Sequence, residues 1–234
     1  METETPVTLI ALVIAGLAIG ALCNIAIERT PPVDDSPSYG LWRGVPLRVL
    51  ARRATAAFAV AGIFALSATL FPDDPLRMAL AASFGTVFAV LAFIDLETFF
   101  LPDKIVLPSL VVALAVSPLW SHMQVWEGLV GAVAGFAIFF PLAWYGDRTG
   151  KDIMGWGDVK FTALMGAVLG LQFLLVGLYL AVIVGGVIAV GALAARALGA
   201  RVTLLPFGPS LVAGALAAMF YGRNLIDWAM ASLV

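Results

Sequence analysis

Long apolar segments separated by short polar breaks constrain this chain more than any other feature of its sequence. Hydrophobic residues occupy 62% of the 234 positions and charged residues only 12%. A soluble domain of this composition would expose more apolar surface than water tolerates. A helix needs about 20 mostly apolar residues to cross the hydrocarbon core of a bilayer. The sequence therefore predicts an all-α protein that crosses a membrane several times.

The polar breaks divide the chain into about eight predicted transmembrane helices, at residues 7–27, 55–70, 78–94, 105–119, 126–145, 159–169, 173–195 and 204–221. The border between the sixth and seventh helices, at "LGLQF", depends on one Gly and one Gln. Cytoplasmic loops carry an excess of Lys and Arg. With the N-terminus outside, all basic residues except Arg77 and Arg223 fall on the inner side. We therefore expect the N-terminus to lie outside.

Two acidic residues lie where predicted helices end or begin on that inner side. Asp95 in "FIDLETFFLPDK" closes the third helix, and Asp158 in "KDIMGWGDVKF" opens the sixth. An ionisable group at the edge of the hydrocarbon is costly and indicates a functional site. Two carboxylates that share a proton can cleave a peptide bond, since one activates water while the other polarises the carbonyl. The helix macrodipole favours Asp158 as the resting base and Asp95 as the resting acid.

The residues around these acids have both functional and structural interpretations. Gly155 and Gly157 can bring backbone close to a ligand or hold a positive φ; alternatively, the turn only lets Asp158 cap the next helix. Asp103 is expected to N-cap the fourth helix, with a catalytic part as the alternative. Residues 206–209, "PFGP", are expected to interrupt the start of the eighth helix and to expose backbone groups that line the substrate channel. A helix start merely shaped by proline is the alternative.

Three strings resemble the type IV prepilin leader peptidases, GxGD-type aspartic proteases of the bacterial inner membrane. They are "IDLETFFLPDKIVLP" (94–108), "TGKDIMGWGDVKF" (149–161) and "LLPFGPSLVAG" (204–214), in the family's order and spacing. The resemblance implies that Asp95 and Asp158 form the catalytic dyad. It also implies type IV prepilin or pseudopilin substrates, cut on the cytoplasmic side after a Gly that ends a basic leader. The residues expected to bind substrate or support the dyad are Gly155, Gly157, Lys160, Asp103, Pro206, Phe207 and Gly208.

The N-terminal part resembles the family only partly. Residues 1–53 are interpreted as the first transmembrane helix with a shortened cytoplasmic loop, and residues 54–234 as the transmembrane peptidase core. Bifunctional members carry two cysteine pairs after the first helix, associated with zinc and with N-methylation of the product. Cys23 is the only cysteine in this chain, so a thiolate zinc site cannot form. N-methylation stays an alternative activity, and no metal or cofactor is expected.

Several residues outside the two acidic motifs are expected to contact lipid or neighbouring helices. Arg52 and Arg53, with Arg48, are expected to face anionic head groups from a basic amphipathic segment, and Glu28 to cap the first helix. Glycines at 128, 131, 135, 185 and 186 are expected to permit close helix packing. We expect the helices to contact membrane lipid, and we expect no nucleic-acid partner.

A proton-coupled transporter is the alternative from another functional class, since transporters also use buried acids and broken helices. Such a protein would carry acids near the middle of the membrane and inverted repeats. Here Asp95 and Asp158 lie at predicted helix ends, and the Gly-Pro interruptions do not recur in corresponding positions.

Overall fold

Seven α-helices follow one another in the computed structural model, which describes residues 4–29, 46–120, 123–124, 126–151, 153–198 and 206–232. A short 3₁₀ helix, Ser117–Leu119, follows the fourth. These residues contain no strand, so the predicted all-α fold is confirmed. The helices are α1 (Glu4–Arg29), α2 (Pro46–Leu70), α3 (Pro75–Thr98), α4 (Asp103–Val116), α5 (Glu127–Thr149), α6 (Trp156–Ala197) and α7 (Gly208–Ala231).

Five segments of the described helices are long and apolar enough to cross a membrane: Thr8–Ile25, Leu50–Leu70, Pro75–Thr98, Glu127–Thr149 and Trp156–Ala197. The chain is therefore a multi-pass membrane protein. The 42 residues of α6 would measure about 63 Å in a straight helix, roughly twice the thickness of a hydrocarbon core. Gly170 breaks this helix with φ 71° and ψ 171°, a conformation essentially restricted to glycine.

The break at Gly170 falls in "LGLQF", where the sixth and seventh predicted helices were expected to meet. The count of eight transmembrane helices and the outside N-terminus stay predictions. The two largest differences from the predicted boundaries are the start of α2 and the end of α7. Helix α2 begins at Pro46, so the expected amphipathic segment is its first part, and α7 continues to Ala231. Residues 30–45 of the predicted loop, and the predicted start of the last helix at residue 204, lie outside the described residues.

The first of two compact units comprises Met1–Pro102 and Pro118–His122, and thus contains α1, α2 and α3. Helices α1 and α2 pack with little space between them, because a Cβ on Gly16 would lie 2.7 Å from the Cα of Ala61. The side chain of Asp74 accepts a 2.9 Å hydrogen bond from the backbone N–H of Arg77 and caps the start of α3. Apolar residues of α3, including Phe88 and Leu91, are fully buried.

The second unit comprises Asp103–Ser117 and Met123–Val234, and contains α4, α5, α6 and α7. Within this unit, α5 packs very closely against the first half of α6. A Cβ on Gly131 would overlap the carbonyl oxygen of Gly166, and a Cβ on Gly135 would overlap that of Thr162. The prediction that these glycines permit close packing is confirmed.

The same prediction is wrong for the pair Gly185 and Gly186. A Cβ on Gly185 would make only ordinary contacts, at 3.4 Å from Phe207 and Ser210, and one on Gly186 would meet nothing within 4 Å. Sequence shows that both residues are small but not which neighbour each one faces.

Candidate active site

Asp158 lies in the first turn of α6, immediately after the Gly-Trp-Gly sequence. Gly155 has an extended backbone, with φ −71° and ψ 140°, and precedes the helix. Its carbonyl oxygen accepts hydrogen bonds from the backbone N–H groups of Asp158, at 3.1 Å, and Val159, at 3.4 Å. Asp158 is half-buried, at a helix end where the positive pole of the macrodipole favours a carboxylate.

The two glycines of this motif do not need a positive φ, because Gly155 is extended and Gly157 is helical. That part of the expectation is wrong. The other part of the expectation, that a glycine lets a ligand come close to the backbone, fits the position of Gly155. A Cβ there would lie 3.7 Å from the Oδ2 atom of Asp158, so glycine leaves open the space on that side of the carboxylate. A larger side chain would occupy the approach to Oδ2.

Trp156 links the start of α6 to the end of α5 through a hydrogen bond and a ring contact. This residue was not identified from the sequence. Its indole N–H donates a 2.8 Å hydrogen bond to Oδ2 of Asp147. Its ring meets that of Phe140 edge to face, with 5.8 Å between the centroids. These contacts hold the turn that carries Asp158, and the tryptophan between the two motif glycines was the available signal.

Lys160 and Asp103 form an ion pair within the second unit. The ammonium of Lys160 lies 2.7 Å and 2.8 Å from the two carboxylate oxygens of Asp103. The side chains are 29% and 49% exposed. Helix α4 begins at Asp103 itself, so this residue is the first of the helix rather than the expected N-cap before it. The pair joins α4 to the turn of α6 that carries Asp158.

Residues 206 and 207 directly precede α7, and Gly208 is its first residue. Pro209 lies in the first turn, where the helix has no backbone bond for proline to remove. The carbonyl of Phe207 accepts from the N–H groups of Ser210 and Leu211, both at 3.1 Å. The ring of Phe207 packs on that of Phe139, at 6.4 Å between centroids. The carbonyl of Phe207 is therefore paired, and the expectation that this segment lines the substrate channel stays a prediction.

Asp95 lies in the last turn of α3, in the first unit, and is only 5% exposed. Its backbone carbonyl accepts a 2.9 Å hydrogen bond from the N–H of Phe99. Phe99 closes the helix in a left-handed conformation, with φ 53° and ψ 30°, which is rare and strained for a bulky residue. The hydroxyl of Thr98 lies 2.9 Å from the carbonyl of Ile94 and 3.1 Å from that of Phe100.

A cluster of four charged residues joins the three helices of the first unit. Arg52 of α2 lies 2.5 Å from a carboxylate oxygen of Glu28 in α1, and 3.0 Å and 3.1 Å from the two oxygens of Glu97 in α3. Arg53 donates to Glu28 at 2.7 Å, and this hydrogen bond lowers the pKa of the Glu28 carboxyl. The side chain of Arg52 is only 6% exposed, so the expectation that it faces head groups is wrong.

The same contacts revise the expected role of Glu28, which binds two arginines rather than capping its helix. The signal was present in the sequence. Opposite charges at residues 28, 52, 53 and 97 all lie at helix ends that the charge count assigns to the inner side. Within the described residues, no group of three His, Cys, Asp or Glu side chains is arranged to hold a metal ion.

Residues 82–190, which contain both Asp95 and Asp158, match the type IV leader peptidase family. A prepilin leader peptidase/N-methyltransferase of Aeromonas salmonicida strain A449 is 30% identical over 217 residues, which cover 91% of this chain and 74% of the relative. The chain belongs to the type IV leader peptidase family. It is therefore a membrane peptidase, and the resemblance found from its motifs is confirmed.

Other members of the family are similar over shorter stretches. The protein of the same name from Bacillus subtilis strain 168 is 33% identical over 73% of this chain and 64% of its own length. That of Burkholderia pseudomallei strain K96243 is 37% identical over 76% of this chain and 54% of its own length. No solved structure matches this chain significantly.

Proposed function

We propose that this membrane peptidase removes the leader from type IV prepilin-like proteins by aspartic catalysis, with Asp95 and Asp158 as its two catalytic residues. The observation that carries the proposal is that residues 82–190 combine the family match with both acidic motifs. This stretch matches the leader peptidase family and holds both acidic motifs at the ends of apolar helices. The names of the relatives supply the substrate class.

The proposed chemistry needs one carboxylate and one carboxylic acid. Asp158, in the first turn of α6, takes a proton from a water molecule as that water attacks the scissile carbonyl. Asp95, in the last turn of α3, donates a hydrogen bond to the carbonyl oxygen and then its proton to the leaving amine. The two roles are restored when a proton passes from Asp158 back to Asp95.

Neighbouring residues in the second unit would support Asp158. Gly155 leaves the side of Oδ2 open to substrate, since even a Cβ would stand 3.7 Å from that oxygen. The ion pair between Lys160 and Asp103 fixes the next part of the helix turn. For Pro206, Phe207 and Gly208 we propose a packing role, because the Phe207 ring contacts Phe139.

We further propose that the protein lies in the bacterial cytoplasmic membrane and cuts on the cytoplasmic side, after the Gly that ends the leader. The distribution of Lys and Arg supports this orientation, since only Arg77 and Arg223 fall outside in the eight-helix topology. The basic leader of a prepilin would stay on that same side for the same electrostatic reason.

The test uses membranes that contain the full-length protein and a candidate prepilin. Asp95→Asn and Asp158→Asn should each abolish cleavage, because each removes half of a pair that works as a unit. Asp73 and Asp227 are exposed aspartates, one in each unit. Asp73→Asn and Asp227→Asn serve as matched controls and should cleave normally.

Mass spectrometry of the new N-terminus reports the cleavage position and any added methyl group together. Normal processing by either dyad variant, at wild-type expression, would remove that residue from the mechanism. Activity lost to a membrane-permeant chelator and restored by a single divalent ion would replace aspartic catalysis by a metal-assisted reaction.

A further inference from the structure

We propose that Arg52 is a positioning residue that fixes the last turn of α3, and with it Asp95, through an ion pair with Glu97. The functional part of this inference rests on the proposed catalytic role of Asp95. The structural part does not, and it has its own measurement below. Arg52 lies on α2 and was expected from sequence to face lipid head groups.

The contacts of Arg52 reach both neighbouring helices of the first unit. One of its terminal nitrogens lies 3.0 Å and 3.1 Å from the two carboxylate oxygens of Glu97, and the other lies 2.5 Å from Glu28. The side chains of Arg52 and Glu97 are 6% and 14% exposed. A pair this buried is poorly screened by solvent, and removal of one partner leaves the other charge without compensation.

Arg52 acts on Asp95 through the backbone. Asp95 and Glu97 are two residues apart, so they point to different faces of α3. They share the helix turn that Phe99 closes, where the Phe99 N–H donates to the Asp95 carbonyl at 2.9 Å. Anchoring Glu97 to α2 therefore restrains the peptide units on which the Asp95 side chain is mounted.

The conformation of Phe99 makes this restraint necessary. A bulky residue at φ 53° is strained and persists only where surrounding contacts over-determine the backbone. Within that turn, the Thr98 hydroxyl provides one such contact and Glu97 provides another. Without Arg52, the last turn of α3 loses its link to α2 and can fray from its C-terminal end, which breaks the hydrogen bond between the Phe99 N–H and the Asp95 carbonyl.

Arg53 offers a matched control on the same helix. It is the adjacent residue and has the same side chain, and it binds Glu28 at 2.7 Å. Its hydrogen bonds do not include Glu97, and its side chain is 51% exposed. Replacement of Arg53 removes one positive charge from the cluster but leaves the anchor between α2 and α3 in place.

The first measurement reports the turn without using catalysis. Asp95→Cys is introduced into a Cys23→Ala background, which leaves a single thiol in the chain, and its reaction with a maleimide is timed in detergent. Arg52→Met should accelerate labelling about tenfold or more, since the turn opens locally. Arg53→Met should leave the rate within about twofold of the parent. Equal rates for all three proteins, or equal acceleration by both arginine variants, would overturn the positioning role.

The second measurement uses prepilin cleavage by the wild-type chain and by single variants. Arg52→Met should lower kcat by at least about tenfold with KM nearly unchanged, because geometry at the reacting carboxyl affects the transition state more than substrate binding. Arg52→Lys should recover part of kcat, since one ammonium keeps the charge but cannot bind both acids as a guanidinium does. Unchanged kcat in Arg52→Met, at equal folded protein, would overturn the inference.

Glu97→Gln breaks the same ion pair from the α3 side and keeps the test decisive if Arg52→Met does not insert. It should accelerate labelling of Asp95→Cys as Arg52→Met does, and a parent-like rate would overturn the proposal. If Asp95→Asn still cleaves prepilin, the proposed dyad fails. The labelling result then still decides whether Arg52 holds the turn, so the two failures are distinguishable.

Discussion

Gly135→Ala adds one methyl group at a very close contact between α5 and α6. In the structure, a Cβ at this position would lie 2.7 Å from the carbonyl carbon of Thr162 and closer still to its oxygen. Ordinary contact begins at 3.4 Å, so the two backbones must separate by the difference, about 0.7 Å or more. The neighbouring atoms belong to a helix backbone and cannot rotate away.

The energetic consequence has three parts. Overpacking of a tight contact costs about 1–3 kcal/mol. Separation also breaks the 3.1 Å hydrogen bond from the Thr162 hydroxyl to the Gly135 carbonyl, worth about 0.6 kcal/mol between membrane helices. This loss is small because the hydroxyl keeps its contacts with the carbonyls of Asp158 and Val159. Alanine has a higher helix propensity than glycine, which stabilises the variant by about 1 kcal/mol. We expect a net destabilisation of about 0.6–2.6 kcal/mol.

The assay is unfolding in mixed micelles titrated with SDS, followed by circular dichroism. Gly186→Ala is the matched control, because Gly186 lies in α6 and a Cβ there would meet nothing within 4 Å. That variant should be more stable than wild type by about 0.5–1 kcal/mol. The two substitutions therefore have opposite expected signs. If Gly135→Ala were as stable as Gly186→Ala, the close contact between α5 and α6 would be refuted.

Three further outcomes are expected. Gly170→Ala forces alanine to φ 71° and should cost about 1–3 kcal/mol in the same titration; unchanged stability would show that the break is not held at that φ. A double-mutant cycle on Lys160 and Asp103 should give a coupling below about 1 kcal/mol, because the pair is partly exposed, and a larger value would contradict that exposure. Arg53 lowers the pKa of Glu28 below its ordinary 4.5, so this contact stabilises the fold above that pH and is lost as the pH falls through the lowered pKa. In Glu28→Gln, the melting temperature should fall less steeply than in wild type as the pH is lowered through that acidic range. The same pH dependence in both proteins would argue against the contact.

The sequence was sufficient for the helical class, the segment order and the family. Apolar length and polar breaks depend only on the chain itself, which is why even the weak border at "LGLQF" coincides with the non-helical Gly170. The two acidic motifs could likewise be assigned to helix ends, since Asp95 lies in the last turn of α3 and Asp158 in the first turn of α6.

Contacts between helices were not predictable in the same way. Arg52 was expected at lipid head groups because a charge count treats each basic residue as separate, whereas its carboxylate partners lie on α1 and α3. Pro209 was expected to interrupt a helix because the true start, at Gly208, could not be located by hydropathy. In both cases the missing information is which backbone or side chain lies opposite, and that is a property of the packed helices.

The charged cluster of the first unit has a consequence for how this protein can change over evolution. Its two arginines and two glutamates have no net charge together, and three helices contribute them. Loss of Arg52 or Glu97 leaves an uncompensated charge on a mostly buried partner, whereas exchange of a whole buried ion pair for apolar residues of similar volume is often tolerated. Positions 28, 52 and 97 should therefore vary together among homologous chains, with the acids disappearing from lineages in which the arginine has been replaced.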